Sequence, residues 1–450
     1  MFNSLILLVN SFRNQDRISQ LPEALILRIL SSLPTKTVIA TSVLSKQWRY
    51  FWKSVPSLEF NSVGFKSKHQ TFSDVVCKSF LSNKAPVLES FHLEFALYKI
   101  TPIDIGFWIG LAFARNLREL VLDFLPDDLE SFTFPSSLCS CNTLEKLKLI
   151  LILLDISSPV LMKSLRTLHL VFVSYKDDAS IRNLLSGCPV LEELEVIRAE
   201  DGIVETFTIE VPSLKRLTIN DENGGEEFWG YMINAPCLKY LQIEVLQCPH
   251  FCLIAPELVK ASVSGVRSLT NEKFLGSFTS VKRLFLDLSP LEITFPSGTI
   301  FYQLVSLEMY TRQNEWWNLL TPMLEHSPNL QLLKLTDQYL DFHKDYVVGG
   351  KWKEPKYVPE CLLSHLETFV WERFDWGRKE EKEVATYILK NARRLNKATF
   401  STTPIESEEL NKLKKRRKIL DELDGVVRAS NSCHLVFEFD SICYVSEDSS

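Results

Sequence analysis

Apolar positions recur in one cadence through the middle of the chain, x-L-x-x-L-x-L. It reads NLRELVLDF (116–124), TLEKLKLIL (143–151), SLRTLHLVF (164–172), VLEELEVIR (190–198), SLKRLTIND (213–221), CLKYLQIEV (237–245), SVKRLFLDL (280–288) and NLQLLKLTD (329–337). Weaker copies stand at VLESFHLEF (87–95), ELVKASVSG (257–265) and QLVSLEMYT (303–311). In the closing L-x-L the two apolar side chains share one face of a strand and the middle residue takes the other. The pattern predicts strands near 88–95, 117–124, 144–151, 165–172, 191–198, 214–220, 238–245, 258–264, 281–288, 304–310 and 330–336. Their spacing, mostly about 20–29 residues, is that of stacked repeats.

A second marker accompanies the first. Pro86, Pro189, Pro212, Pro236, Pro256 and Pro328 each stand two residues before the first apolar position. Proline there ends the preceding segment and favours an extended backbone. Between strands, IRNLLSGCP (181–189) and WWNLLTPMLEHSP (316–328) carry helical patterning. Each unit is then a strand and a return. None buries its own leucines, so the units must stack and share one core. The expected fold class is α/β, a repeat solenoid over residues 63–354. Its outward row is His92, Val121, Lys148, His169, Glu195, Thr218, Gln242, Ser262, Phe285, Glu308 and Lys334. Such a row lines a face that commonly binds partners, although any solvated strand face also looks polar.

The pattern changes near the N-terminus. Pro22 and Glu23 suit the first turn of a helix, and Leu25, Ile29 and Ser32 follow at helical spacing. Ile26 and Leu30 widen that stripe, and Pro34 stops it. A second helix is expected over Lys36–Val43, and a third from a Ser45 cap through Trp52, with Trp48 and Trp52 on one face beside Phe51. Three short helices cannot bury this much surface among themselves. The stripe packs either on the rest of the chain or on another protein.

These residues also carry a resemblance. Leu21-Pro22-Glu23, Leu25, Ile29-Leu30, Leu33-Pro34, Thr35-Lys36, Leu44-Ser45-Lys46 and Trp48-Arg49 resemble a plant F-box; Gln47 stands where that family usually has Arg. The resemblance implies a three-helix F-box over 15–62 that binds the small Skp-type adaptor of a cullin ubiquitin ligase. The implied adaptor-binding residues are Leu21, Pro22, Leu25, Ile29, Leu30, Leu33, Pro34, Leu44, Trp48 and Trp52. The repeats are similar to the divergent leucine-rich repeats of plant F-box proteins, with irregular lengths and without the usual Asn after the second strand leucine. On that likeness, target-binding candidates are His92, Lys148, His169, Glu195, Gln242, Phe285, Glu308 and Lys334.

The C-terminal block repeats the strand pattern once more at Leu366, Phe369 and Trp371. A charged turn over 377–383 leads to a helix bearing Val384, Tyr387, Ile388 and Leu395. Leu410, Leu413, Leu420 and Leu423 mark another helix, with Gly425 as its C-cap, and 428–439 ends as a strand. VPECLLSHLETFVWERF, YILKNARRL and RASNSCHLVF resemble an FBD domain, which places a C-terminal α+β domain over 355–440 and a tail over 441–450. Capping an open end of the repeats is a physical reason for such a domain. The run Lys414-Lys415-Arg416-Arg417-Lys418 reads as a solvated helix face or as a nuclear import signal.

Composition narrows the function classes. The chain has 450 residues, 46% hydrophobic and 24% charged, with net charge −6. That balance disfavours a phosphate-neutralising nucleic-acid binder. No apolar window reaches membrane-spanning length. Residues 1–14 are apolar but lack a basic leader and a small-residue cleavage site, and no role is assigned to them. The 10 cysteines form no dense framework, as expected of reduced thiols in the cytoplasm or nucleus. Cys248-Pro-His250-Phe-Cys252 with Cys237, and Cys139-Ser-Cys141, have the wrong gaps for a zinc knuckle, so no metal is expected. Gly349-Gly350-Lys351 precedes Trp352, not Ser or Thr, and no nucleophile-elbow or zinc-protease motif occurs. The pairs Asp127-Asp128 and Asp177-Asp178 fall in expected loops. The expectation is a non-catalytic substrate receptor without cofactor, partnered by the adaptor, through it a cullin, and an unknown target. The alternative is a repeat scaffold outside any ligase.

Overall fold

The computed structural model describes residues 21–63, 65–67, 69–96, 100–125, 141–198, 204–221, 230–247, 250–267, 273–290, 294–311, 315–337, 351–374, 379–402 and 410–439. Residues 1–14, the tail, Asp127-Asp128, Cys139, Cys248 and Gly349-Gly350 lie outside these. The chain divides into two compact units, 1–191 and 192–450.

The first unit opens with α1 (Glu23–Leu30), α2 (Thr35–Ala40), a 3-10 turn (Thr41–Val43) and α3 (Trp48–Ser54). Pro22 sits one place before α1, and its carbonyl accepts the Leu25 and Ile26 N–H groups. Pro34 does the same for Thr37 and Val38 at α2. The second helix is shorter than its apolar pattern suggested. Thr37, Val38 and Ile39 are β-branched, and the Thr41 hydroxyl donates back to the Val38 carbonyl at 2.6 Å, which tightens the last turn. Ser45 does accept the Trp48 N–H, at 3.4 Å, but regular helix begins only at Trp48.

These helices close on a core of Ile26, Leu30, Val38, Trp48, Phe51 and Val55, with Leu27, Leu33 and Trp52 packed against it. Trp48 meets Phe51 edge-on at 5.7 Å, the geometry that ring quadrupoles prefer. No linker follows. β1 (Ser57–Asn61) starts inside the expected F-box boundary and pairs in parallel with β2 (Ser90–Phe95). The Thr35 hydroxyl accepts the Glu59 N–H at 2.7 Å, and Asn83 donates to the Val55 carbonyl at 2.8 Å. The small helical core is thereby fastened to the sheet that follows it.

Two helices absent from the sequence expectation lie between strands of this unit: α4 (Phe72–Ser82) and α5 (Pro102–Phe113). Both begin in a capping box, Thr71 with Asp74 and Thr101 with Asp104. β3 (Glu119–Phe124), β4 (Lys146–Ile150) and β6 (Thr167–Val171) continue the parallel sheet in the order β1-β2-β3-β4-β6. The two-residue strands β5 (Leu153–Leu154) and β7 (Ser174–Tyr175) pair with each other, and α6 (Asp178–Ser186) closes the unit.

The second unit repeats the device. Its inner sheet runs in parallel through β8 (Glu193–Arg198), β10 (Arg216–Asp221), β12 (Tyr240–Gln247), β14 (Lys260–Ser264), β16 (Arg283–Asp287), β17 (Ser306–Tyr310) and β18 (Leu332–Thr336). A short β15 (Val266–Arg267) also pairs with β12. The returns of the early members are themselves strands: β9 (Thr206–Glu210), β11 (Gly230–Asn234) and β13 (His250–Ile254) make a second parallel sheet. Gly230 permits the close approach of β11 to β13, because its φ is +147° and a Cβ there would meet the His250 carbonyl oxygen at 1.9 Å. Later returns are helical: α7 (Lys273–Gly276) and α8 (Trp317–Glu325).

A buried ion pair in the inner sheet is the centre of a cluster that reaches the second sheet of this unit. Arg198, at the end of β8, meets Asp221, at the end of β10, at 3.0 Å, and both side chains are fully inaccessible. The Tyr231 hydroxyl on β11 donates to the same carboxylate. The Arg198 guanidinium stacks 4.9 Å over the Phe207 ring of β9. Burial, then the Asp221 charge, pushes the Tyr231 phenol well above its ordinary range.

The C-terminal segment has the expected mix of helix and strand, in alternation. α9 (Glu360–Ser364), β19 (Thr368–Glu372), α10 (Lys379–Asn391), β20 (Lys397–Thr402), α11 (Leu410–Asp424) and β21 (His434–Phe439) alternate, and their strands extend the same parallel sheet in the order β18-β19-β20-β21. The physical reason is a shared aromatic core. Trp316, ahead of α8, packs edge-on against Trp371 of β19 at 5.6 Å. Phe369 and Phe374 meet Phe400 at 5.5 and 5.4 Å, and Phe400 meets Phe437 at 6.1 Å. Within the basic run on α11, Arg416 is buried while Lys414, Arg417 and Lys418 are exposed, so the run is not a uniformly solvated face.

Candidate functional site

Two surfaces carry the candidate residues. On the helical module, one wide apolar stripe serves two purposes. Leu30 and Trp48 are 2% and 6% exposed and belong to the module's own core. Leu33 and Trp52 are half-buried against it. Leu25, Ile29 and Leu44 remain 46%, 50% and 64% exposed, beside exposed Leu21, Pro22 and Pro34. Val43 and Tyr50 were not expected there and are more exposed still, at 83% and 73%. The signal for Tyr50 was available: Trp48, Phe51 and Val55 recur at helical spacing and take the core face, which turns Tyr50 outward. Large apolar side chains left uncovered on so small a module are the usual mark of a surface that another protein covers.

The second surface is the outward row of the strands. In the first unit Glu59, His92, Val121, Lys148 and His169 stand directly beside one another in register. One position further along the same face, burial raises the Asp123 carboxyl above its ordinary range, against the opposing pull of His92 and Lys148. In the second unit Glu195, Thr218, Gln242, Ser262, Phe285, Glu308 and Lys334 are likewise in register. The row continues through Val370, Thr399 and Val436, which the sequence expectation left out. Most of these side chains are half-buried, and Gln242 is exposed.

Charges on this face are largely paired. Lys334 reaches Glu308 at 3.1 Å and Glu372 at 3.0 Å. Partial burial disfavours its ammonium, but those two carboxylates outweigh the penalty and hold its pKa above the ordinary lysine value. Arg216 contacts Glu193 at 3.6 Å and covers the Tyr240 ring at 4.7 Å. Between these, a cleft of about 240 Å³ opens over Thr218, Gln242 and Ser262. Among the described residues no group of His, Cys, Asp and Glu is arranged to hold a metal, and no helix is long and apolar enough to cross a membrane. Cys237 and Cys252 are exposed thiols, whereas Cys141 is buried.

A helical module with an uncovered apolar surface, followed by strand-and-return repeats with an in-register polar face, defines a modular protein-interaction chain. Family comparisons name the modules. An F-box domain matches residues 18–60, the LRR repeats of FBD-associated F-box protein At5g56370 match 105–259, and FBD matches 354–400. Relatives from Arabidopsis thaliana match along almost the whole length. F-box/FBD/LRR-repeat protein At3g52680 is 71% identical over 439 residues, covering 97% of this chain and 96% of that protein. F-box/FBD/LRR-repeat protein At4g00160 is 70% identical, covering 97% of each. FBD-associated F-box protein At3g52670 is 62% identical, covering 95% of this chain and 99% of that protein. The chain belongs to the plant F-box/FBD/LRR-repeat family.

Proposed function

We propose that this chain is the substrate-recognition subunit of a Skp-cullin-F-box ubiquitin ligase. The observation that carries the proposal is the combination, in one chain, of exposed Leu25, Ile29 and Leu44 on the F-box and an in-register partner face on the repeats. The F-box binds the Skp-type adaptor, which connects to a cullin. The repeat face holds a target protein. The receptor contributes no reacting group: holding a target lysine near a ubiquitin-loaded enzyme raises its effective concentration and makes the encounter intramolecular. Such a receptor works in the nucleus or cytoplasm.

Co-precipitation of the purified full chain with a Skp-type adaptor tests this, beside a Leu25→Ala/Ile29→Ala variant. Binding by the parent and loss in the folded variant support the ligase assignment. A folded parent that fails to bind at micromolar concentrations refutes it and leaves a repeat scaffold.

A further inference from the structure

The face of the second unit holds one region where charge is not balanced. At the start of its strands, Glu193, Arg216, Tyr240, Lys260 and Arg283 lie side by side in register. Lys215 and Arg216 are answered by Glu192 and Glu193, at 3.1 and 3.6 Å. On the other flank Lys334 is held between Glu308 and Glu372. Between the flanks Lys239, Lys260, Lys282 and Arg283 are all exposed. None has an ion-pair partner among the described residues. In a chain of net charge −6, this local excess of cations is against the trend of the molecule.

The cleft beside this patch has a shape as well as a charge. Its floor is polar, Thr218 and Ser262 with Gln242 between them, and two carboxylates bear on it: Glu308, which Lys334 neutralises at 3.1 Å, borders it, and the exposed Glu244 accepts from the Gln242 amide at 2.8 Å. Tyr240 forms one wall, fixed under the Arg216 guanidinium. Phe285 forms the other and is held edge-on by Tyr310 at 4.7 Å. Two aromatic walls accept the aliphatic part of a chain, and two adjacent cations accept its anions.

We propose that this window docks an extended acidic segment of a partner protein, with carboxylates at alternate positions engaging Lys260 and Arg283. Neighbouring strands stand about 4.8 Å apart, while alternate side chains of an extended segment stand about 6.7 Å apart. The long lysine and arginine stems span that difference. The proposal rests on the repeat face being the target-binding surface, and it names the chemistry of the segment bound there.

The test uses the full chain and a fluorescent peptide of alternating serine and glutamate, followed by anisotropy. The peptide should bind, more weakly as ionic strength rises. Lys260→Glu/Arg283→Glu should weaken it by about tenfold or more. The charge-matched variant Lys353→Glu/Lys356→Glu should bind as the parent does. Lys260→Gln/Arg283→Gln serves if the reversal fails to fold, with thermal melting as the check. No binding by the folded parent, equal binding by all folded variants, or preference for a single-stranded oligothymidylate over the peptide overturns the proposal. Adaptor binding measured on the same preparation separates the outcomes. Adaptor capture without peptide binding sinks the acidic-segment proposal alone, and peptide binding without adaptor capture sinks the ligase assignment alone.

Discussion

Ile29 and Leu30 are neighbours on α1, yet half of Ile29 is exposed and only 2% of Leu30. Truncating each to alanine should separate docking from folding. Leu30→Ala removes a core side chain that touches the Ile26–Trp48 cluster, and such deletions cost about 2–5 kcal/mol. Ile29→Ala alters solvated surface, and its effect on stability should stay within about 0.5 kcal/mol. In binding the order reverses. Fully burying an aliphatic side chain is worth about 1.5–3 kcal/mol, so covering the exposed half of Ile29 contributes about 1 kcal/mol. Leu25 and Leu44, 46% and 64% exposed, contribute similarly. Truncating all three should then remove about 3 kcal/mol of affinity, on the order of a hundredfold in Kd. Urea unfolding followed by tryptophan fluorescence gives the stabilities, and titration calorimetry against a Skp-type adaptor gives the affinities. Equal destabilisation by Ile29→Ala and Leu30→Ala, or unchanged affinity in the folded triple variant, would refute the division of this stripe into core and interface.

Further expectations concern the repeats. Asp221→Asn should destabilise the second unit by about 3–5 kcal/mol in urea unfolding, because it removes the carboxylate from a fully buried ion pair, while the paired replacement Arg198→Met/Asp221→Leu should recover most of that loss. Thr101 hydrogen bonds, opposed in part by burial, hold the Asp104 carboxyl below its ordinary 3.8. The cap therefore stabilises α5 above that pH and loses its contribution as pH falls through the depressed value. Circular dichroism should show a shallower acid transition for Asp104→Asn, and an unchanged one would count against the cap. Burial pushes the Cys361 thiol up to about 12, so native-state alkylation followed by mass spectrometry should modify Cys237 and Cys252 well before Cys361. Gly265 has φ +61°, and a Cβ there would meet the Glu244 carbonyl oxygen at 2.6 Å. Gly265→Ala should lower stability by about 1–3 kcal/mol in the same urea assay.

The inner strands were legible because L-x-L makes alternate burial explicit. They begin about two residues later than the apolar pattern, since the first leucine of each motif is buried ahead of the strand. Leu88, for example, precedes β2, and its backbone N–H donates to the Arg115 carbonyl of the next repeat. β9, β11 and β13 were missed: TFTIE, GYMIN and HFCLI are short and share no leucine signature, and only TFTIE alternates apolar with polar positions, while the apolar runs of the other two carry no period. The capping boxes of α4 and α5 were readable in Thr71–Asp74 and Thr101–Asp104 and went unused. The F-box stripe was visible but not its division. Leu25 and Ile26 are adjacent on the helix, so a stripe that broad spans both faces, and packing assigns Ile26 to the core. The Arg198–Asp221 pair was illegible because its members are separated in sequence and meet only through the parallel register of β8 and β10.

The continuation of the repeat sheet through β19, β20 and β21 bears on what happens when this protein is cut short. A chain terminated before residue 368 would end its ladder at β18 and leave that strand's outer amides and carbonyls without partners. It would also strip Trp316 of its Trp371 contact. Such a fragment would expose an adhesive sheet edge with an uncovered indole beside it, so premature stop codons that fall between β18 and β19 are expected to yield aggregates and quality-control clients, not free-standing receptors with a missing accessory domain.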